Sequence, residues 1–532
     1  MLYTFAAYAT FYELYVALLK GLIAFAIGLS MIVSADRLLR VFKFLQITLR
    51  TALTGQKPEA RFACNPLPDP AQYSLVYPRV AVQLPMFNER AVCQAIIDSA
   101  CELSWPRERF KVQVLDDSTD RVTRELVDDK VLEWKERGLN CECLRRTNRQ
   151  GYKAGALKEG LEVLKEYDYV AIFDADFKPD TDFLMATVPY LIDNPEVGYV
   201  QTRWVFANPD ESYLTKAQEI SLNFHCRCEQ FVHFATGGFF NFNGTAGVWR
   251  RKAIVTVGGW KSRTTVEDMD LSLRTYVNGW KAIYLTDVTC INELPASFFA
   301  YRKQQHRWTC GPVQLWRKAS SDIWNSSLPM TRKLELICCY FGVRKFATHW
   351  VSLGFFCGLV PLSIFTPEVS IPLWSLVHLP VVVTVTTAMF TPKGWLHCIL
   401  YVLFENGMGI VKLWAVIAGV LDLKNAQEWV VTTKLGSSDK RPGTQTPVVA
   451  RDCRMYAGEM IMSCFVLTAA FYGIFSVNKW SFSIFLTLQG LVFMAFGFNM
   501  VDCGGLLGGR LGNNNAAMKP VKAVKAERSY TL

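Results

Sequence analysis

Two short apolar runs end in carboxylates. VQVLDD closes on Asp116 and Asp117, and YVAIFDAD on Asp174 and Asp176. In open α/β sheets, ligands bind at the carboxyl ends of the strands, so acids there are candidates for chemistry. One residue separates Asp174 from Asp176, which lets both face the same side. Two hard carboxylate oxygens suit Mg2+ or Mn2+, an ion that holds a nucleotide diphosphate. A third acidic cluster, TTVEDMDLSLR, sets Glu267, Asp268 and Asp270 at a helix start. Asp270 reads as a helix cap that compensates the dipole, as Asp120 does for the helix after VQVLDDSTD. Asp268 suits a general base. A sugar hydroxyl attacking an anomeric carbon with inversion needs one carboxylate on the face opposite the leaving group. In QQHRW, Gln304 and Arg307 lie three residues apart and share a helix face. Arg307 can meet a phosphate and Gln304 a hydroxyl, while Trp308 is a flat apolar plate for the C–H face of a sugar ring. GYKAGALK offers Lys153 in a glycine-flanked turn as a phosphate contact. NFNGTAGVWRR brings Gly244 and Thr245 between aromatic residues, where backbone can approach a ligand.

These residues need a sheet to hold them. VAVQL, KVQVL, YVAIF and VGYVQ alternate with helical patterns from residue 78 to 320, the signature of a mostly parallel sheet with helices on both faces. The flanks are different. Of 532 residues, 51% are hydrophobic and only 20% charged, which is too apolar for an ordinary soluble protein and points to membrane spans. Residues 14–34 are long enough to cross a bilayer and carry no cleavage site, so a retained span ends near residue 36. Arg37, Arg40, Lys43 and Arg50 follow it, and the positive-inside rule puts the 37–77 linker and the 78–320 domain in the cytosol. The region 321–501 holds interfacial helices and four spans: hairpins at 346–366 with 371–391 and at 456–477 with 481–501. Residues 397–421 contain Glu405 and Lys412 and read as an interfacial amphipathic helix, with a sixth span as the alternative. The 422–454 loop is basic, and the 502–532 tail is Gly/Asn-rich, basic and expected to be disordered. Five spans keep the domain, the loop and the tail on one face, whereas six would put the loop on the other.

The net charge of +10 has its cause in that basic bias, and no basic stripe with interleaved aromatics speaks for nucleic acid. Many of the sixteen cysteines, such as Cys338, Cys339 and Cys357, sit in apolar stretches and read as buried free thiols. Cys226 and Cys228 with His225 and His233 have the wrong spacing for a structural zinc site. Asn243 and Asn325 begin glycosylation sequons, and neither should carry glycan on a cytosolic domain.

Taken together, DD, DAD, VED and QxxRW between membrane spans resemble a processive family 2 glycosyltransferase of the cellulose synthase superfamily, over about residues 78–501. RQGYKAGALKEG, FNGTAGVWR and RTTVEDMDLSLR are most similar to the plant cellulose synthase-like A and C groups. The resemblance implies a GT-A-like, Rossmann-like mixed sheet in the cytosol, joined to an α-helical transmembrane region. It implies nucleotide contacts by Asp116 and Asp117, and diphosphate and metal contacts by Asp174 and Asp176. Asp268 would be the base, and Gln304, Arg307 and Trp308 would hold the donor phosphate and the acceptor's terminal sugar. EWVVTTK is similar to the family's gating loop, with Trp429, Val431, Thr432 and Lys434 at its positions and Trp429 replacing a Phe. A gating loop must reach the active site, which favours five spans.

The A group implies β-1,4-mannan or glucomannan from GDP-mannose, with GDP-glucose as a second donor. The C group implies the β-1,4-glucan backbone of xyloglucan from UDP-glucose. TCGP after the tryptophan and the short chain lean towards A, while VQLW and LTKAQEISLNFH share features with C. Either way the resemblance implies a Golgi multi-pass protein, Mn2+ or Mg2+, a growing polysaccharide acceptor, contact with membrane lipid, and polymer translocation. It leaves an accessory protein and a homo-oligomer open. Single-sugar transfer to a lipid carrier fits QxxRW poorly, and a transporter or scaffold would leave the acids of the domain without a use.

Overall fold

The structure is a computed structural model that describes residues 2–69, 73–423 and 454–502. The gating-loop residues Trp429, Val431, Thr432 and Lys434, and the tail from 503, lie outside the described residues.

The centre is one eight-stranded mixed sheet. Its strands are β1 (Val80–Met86), β2 (Phe110–Asp116), β3 (Cys141–Leu144), β4 (Tyr169–Ile172), β5 (Lys178–Pro179), β6 (Val197–Phe206), β7 (Gly247–Arg250) and β8 (Lys281–Asn292). They are ordered β3-β2-β1-β4-β7-β6-β8-β5. The apolar runs VAVQL, KVQVL, YVAIF and VGYVQ are β1, β2, β4 and β6, as the sequence predicts. β1 to β4 pair in parallel, with Val82 facing Val112 and Ala171. β6 and β8 also pair in parallel, so the expectation of a mostly parallel sheet holds for four of the seven pairings and fails at β7 and β5. β7 runs antiparallel to both β4 and β6, and β5 runs antiparallel to β8. The four-residue GVWR strand is too short to announce itself as a separate pairing partner. Val82, Val114, Ile172, Val200 and Trp249 are fully buried between the helical layers, so these strands read as continuous apolar runs rather than alternating ones.

The N-terminal helix differs from its expected bounds. It runs unbroken from Leu2 to Thr54 instead of ending near residue 36. No proline interrupts it, and its second half has a surface to bury. Val41, Phe44 and Ile47 pack on Phe224, Cys228 and Val232 of the domain. Arg40 is buried against Asp36 and Glu229, and Arg344 donates to Asp36 at 3.0 Å. The first part of the expected 37–77 linker, as far as Thr54, is therefore a helical strut that ties the helical region to the domain.

Among the described residues, four helices are long and apolar enough to cross a membrane: Thr10–Thr54, Met330–Ile364, Gly394–Leu421 and Ala457–Phe475. Trp374–Ala388 and Phe482–Gly497 are shorter apolar helices. Within Gly394–Leu421 the charges that suggested an interfacial helix neutralise one another, with Lys412 Nζ 2.6 Å from Glu405. Two joints couple these helices to the domain. Asp502 accepts from the Phe298 amide at 2.6 Å, at the start of the helix Phe298–Trp324. Arg302 of that helix pairs with the buried Glu459. Phe298, Phe404 and Phe496 close the seam with Leu214 and Ile220.

His225 pairs with Glu229 at 3.0 Å, His233 faces Arg344, and Cys226 and Cys228 are buried in apolar surroundings. Among the described residues, no group of three or more His, Cys, Asp or Glu side chains is arranged to hold a metal ion.

Candidate active site

A cleft opens along the carboxyl edge of the sheet. Asp117, Lys153, Asp174, Asp176, Gly244, Asp268, Gln304, Arg307 and Trp308 all line it. The motifs are spread over nearly two hundred residues of sequence, and the topology gathers them at one edge. Asp117 is the residue just after β2, Asp174 and Asp176 come from the turn after β4, and Gly244 from the approach to β7. Asp268 sits in the first turn of the helix Glu267–Val277.

Two candidates do not reach the cleft. Asp116 points the other way and is fully buried. Its carboxylate accepts from the Arg145 Nε at 2.9 Å and from the Ser118 amide at 2.9 Å. The parity of an extended chain explains the split, since adjacent residues of a strand face opposite sides. Thr245 is also turned inward. Its hydroxyl accepts from the Asp174 amide at 2.9 Å, so it fixes the Asp-Ala-Asp turn rather than meeting a ligand. Asp270 is not a simple helix cap either. It is buried between Arg263, at 2.6 Å, and Arg274, at 3.0 Å. Asp120 does cap its helix, accepting from the Thr123 amide at 2.9 Å.

Asp268 sits among several charged groups of the cleft. Lys153 Nζ pairs with Asp174 and donates to the Gly244 carbonyl at 3.0 Å. Burial pulls the Lys153 ammonium down, but Asp174, Glu267 and Asp268 more than offset it and hold it above the usual lysine range. Burial pushes Asp268 up, the neighbouring Glu267 pushes further, and Lys153 only partly opposes them, so its carboxyl stands at about 7. A carboxylate that ionises near neutrality is a strong base while still being free of its proton. Arg307 is half-buried, facing Glu267, Asp174 and Asp268, and desolvation lowers it from the usual arginine value.

Two glycines make this proximity possible. At Gly244 φ is +85°, and a β-carbon there would stand 2.8 Å from the Asp268 carboxylate. At Gly311, in the TCGP that follows Trp308, a β-carbon would meet Val266 at 2.6 Å and the Thr265 hydroxyl at 2.8 Å. The helix carrying QQHRW therefore packs directly on the residues that lead into the helix carrying Asp268. Gly311→Ala should push those residues away and lower kcat by about ten- to a hundredfold with nucleotide binding kept, since small misplacements of a catalytic group are costly. Steady-state kinetics beside a nucleotide-binding titration checks this, and unchanged kcat would contradict it.

Other lining residues had escaped the sequence reading. Phe87 and Glu89 follow β1 in PMFNER, and Arg149 precedes the lysine turn. Glu89 carries the same kind of signal as the aspartates, a polar residue placed shortly after a buried strand. Arg149 lies over the Phe87 ring at 3.2 Å. Arg146 clamps Asp117 with its guanidinium, Nε at 2.9 Å.

This arrangement matches known sequences. Residues 81–256 match the glycosyl transferase family 2 model, and residues 169–404 match glycosyl transferase family group 2. A probable glucomannan 4-beta-mannosyltransferase 1 of Arabidopsis thaliana is 41% identical over 488 residues, covering 91% of this chain and 87% of that protein. Glucomannan 4-beta-mannosyltransferase 1 of Oryza sativa subsp. japonica is 40% identical, covering 91% of this chain and 94% of that protein. The chain belongs to the glucomannan 4-beta-mannosyltransferase family. It is a glycosyltransferase, and the sheet edge that holds its acids is the edge expected of one. Glucomannan 4-beta-mannosyltransferase 9 of Arabidopsis thaliana is 43% identical, covering 87% of this chain and 88% of that protein. Among solved structures, a mannosyltransferase of Pyrobaculum calidifontis in complex with GDP-Man and Mn2+ aligns at 22% identity. Its TM-score is 0.47, over 74% of this chain and all of that one.

Proposed function

We propose that the cleft transfers mannosyl units from GDP-mannose to the 4-hydroxyl of a growing β-1,4-linked mannan or glucomannan, with inversion and processively. The observation that carries this reading is the half-buried Asp268, set in the same cleft as Asp174, Arg307 and Trp308. The names of the relatives, at 40–43% identity over most of the chain, support the mannosyl donor and the mannan product.

In this reading Asp117 and the neighbouring Arg146 meet the nucleotide. Asp116 supports them from behind through Arg145. Asp174 and Asp176 would hold Mn2+ or Mg2+, which when bound supplies charge neutralisation for the diphosphate. The donor set fits a hard cation, since both carboxylates line the cleft and Asp174 already faces a positive charge, the Lys153 ammonium. Arg307 and Lys153 stabilise the departing diphosphate as its charge develops. Trp308 carries the acceptor's terminal ring, and Gln304 meets a hydroxyl. Asp268 removes the proton of the 4-hydroxyl as its oxygen attacks C1 of the donor, on the face opposite the leaving group.

The domain 78–320 works on the cytosolic face of a Golgi membrane, and five spans pass the polymer across. The gating-loop residues Trp429, Thr432 and Lys434 belong to the same proposal. Orientation has a direct check. The Asn243 side chain is tied to Gln230 by hydrogen bonds of 2.8 and 2.9 Å, so a folded domain cannot carry glycan there on either face. Asn325 is exposed. It should remain unmodified in a glycosidase-shift assay, and a glycan there would reverse the orientation.

The donor is tested by feeding membranes containing the protein with labelled GDP-mannose and UDP-glucose, separately and together, with Mn2+. β-Mannanase-sensitive polymer from GDP-mannose is the expected product. Glucanase-sensitive polymer from UDP-glucose alone would replace the mannan reading with a glucan one.

A further inference from the structure

The cleft extends well beyond the aspartates. Along the sheet edge, Asp117 just after β2 and Phe87 just after β1 lie on one side of Asp174 and Asp176. On the other side, past β7, come β6 and β8. There the wall is made by Trp204 and Asn292. Trp204 pairs with Cys290 in the β6–β8 ladder and Phe206 with Asn292, so Trp204 and Asn292 are diagonal neighbours on one face. Trp204 is 8% exposed and Asn292 7%. The Trp204 indole N–H and the Asn292 side-chain oxygen are both buried and have no hydrogen-bond partner among the described residues. A buried polar atom left unsatisfied costs free energy, and native proteins rarely leave one without a reason. Here one donor and one acceptor lie on neighbouring strands in the wall of one binding cleft. The Trp204 ring cannot turn freely, because Phe177 of the FDADF segment packs edge-on against it at 5.1 Å.

We propose that Trp204 and Asn292 form a hydroxyl-recognition subsite for a hexopyranose ring. The indole Nε1–H donates to one hydroxyl oxygen, and Asn292 Oδ1 accepts from another hydroxyl. The position supports a sugar rather than a base or phosphate. The subsite lies on the far side of the diphosphate-binding aspartates from the nucleotide end, and its two polar atoms are neutral. A ring hydroxyl both donates and accepts, so one sugar edge satisfies both atoms. The ring is that of the donor or that of the acceptor's terminal sugar, and the same chemistry serves either. The inference rests on the glycosyl-transfer reading above and extends it to the residues that select the sugar.

The test uses the full-length protein in detergent or nanodiscs, with Trp204→Phe, which keeps the ring and removes the N–H, and Asn292→Leu. Three quantities are measured: affinity for GDP, affinity for GDP-mannose without acceptor, and half-saturation by β-1,4-mannohexaose. Each variant should leave GDP affinity at the wild-type value, which also reports that the cleft is folded. Each should weaken one sugar-dependent quantity about tenfold, the size expected for losing a buried hydrogen bond to substrate. A loss confined to GDP-mannose affinity assigns the subsite to the donor ring, and a loss confined to mannohexaose assigns it to the acceptor. Wild-type values for both sugars in both variants would overturn the proposal. So would a fall in GDP affinity as large as the fall for the sugars, which would mean that the two residues only pack the wall. A wild-type protein that binds UDP-glucose and ignores GDP-mannose would defeat the donor reading alone. The same variants would then be judged on UDP-glucose by the same criteria.

Discussion

Asp268→Asn should abolish polymer synthesis while GDP still binds. The amide keeps the size of the carboxylate and its bond from the Met269 amide, which Asp268 Oδ1 accepts at 2.7 Å. It removes only the capacity to take a proton. General-base catalysis is worth roughly 10²–10⁴ in rate, so kcat should fall by about that factor with donor affinity nearly unchanged. Wild-type protein carries the same information in its pH profile. Burial and Glu267 raise the Asp268 carboxyl to about 7. Below that value the group is protonated and cannot act, so kcat/KM should drop about tenfold per pH unit on the acid side and level off above it. The free-enzyme profile is the relevant one, because kcat/KM reports groups before substrate binds. A flat profile between pH 5 and about 8 would remove Asp268 from the role of base.

The second large effect concerns Asp174. Asp174→Asn should lower activity by about a thousandfold, as expected when a charged group that organises a developing diphosphate is lost. It should also destabilise the domain, because Lys153 is buried and loses its ion pair, keeping the Gly244 carbonyl as a hydrogen-bond acceptor and the more distant charges of Glu267 and Asp268. Breaking a buried pair costs about 3–5 kcal/mol, but the Asp174 side chain is 34% exposed. Solvent screening then brings the expected cost down to about 2 kcal/mol. Adding Lys153→Met removes the stranded charge, so the double variant should recover thermal stability without recovering activity. Recovery of both would mean that Asp174 serves folding only, and recovery of neither would mean that Lys153 is not its main partner.

The site was legible in the sequence because the chemistry lies just after apolar strands. VQVL and YVAIF announce β2 and β4, and the acids that follow fall at the edge where the cleft opens. The sequence could not say which acid of the DD pair faces the cleft. That depends on the phase of β2, which only its pairing with β1 and β3 sets. Thr245 was misassigned for a related reason. Small residues between aromatics signal a close approach, but not whether ligand or protein approaches, and here it is the Asp174 amide. Trp204 and Asn292 carried no local signal, because β6 and β8 meet only through a parallel pairing eighty-odd residues apart in sequence. The N-terminal helix was misjudged at its end because hydropathy registers the apolar stretch and not the docking of Val41, Phe44 and Ile47 on the domain.

The most direct measurement is the linkage and anomeric configuration of the bond formed by purified protein from GDP-mannose and mannohexaose, with Asp268→Asn alongside. The account predicts β-1,4-linked products, several sugars longer than the primer even when primer is in excess, and none from the variant. α-Linked product, extension by a single sugar, or equal product from Asp268→Asn would contradict it.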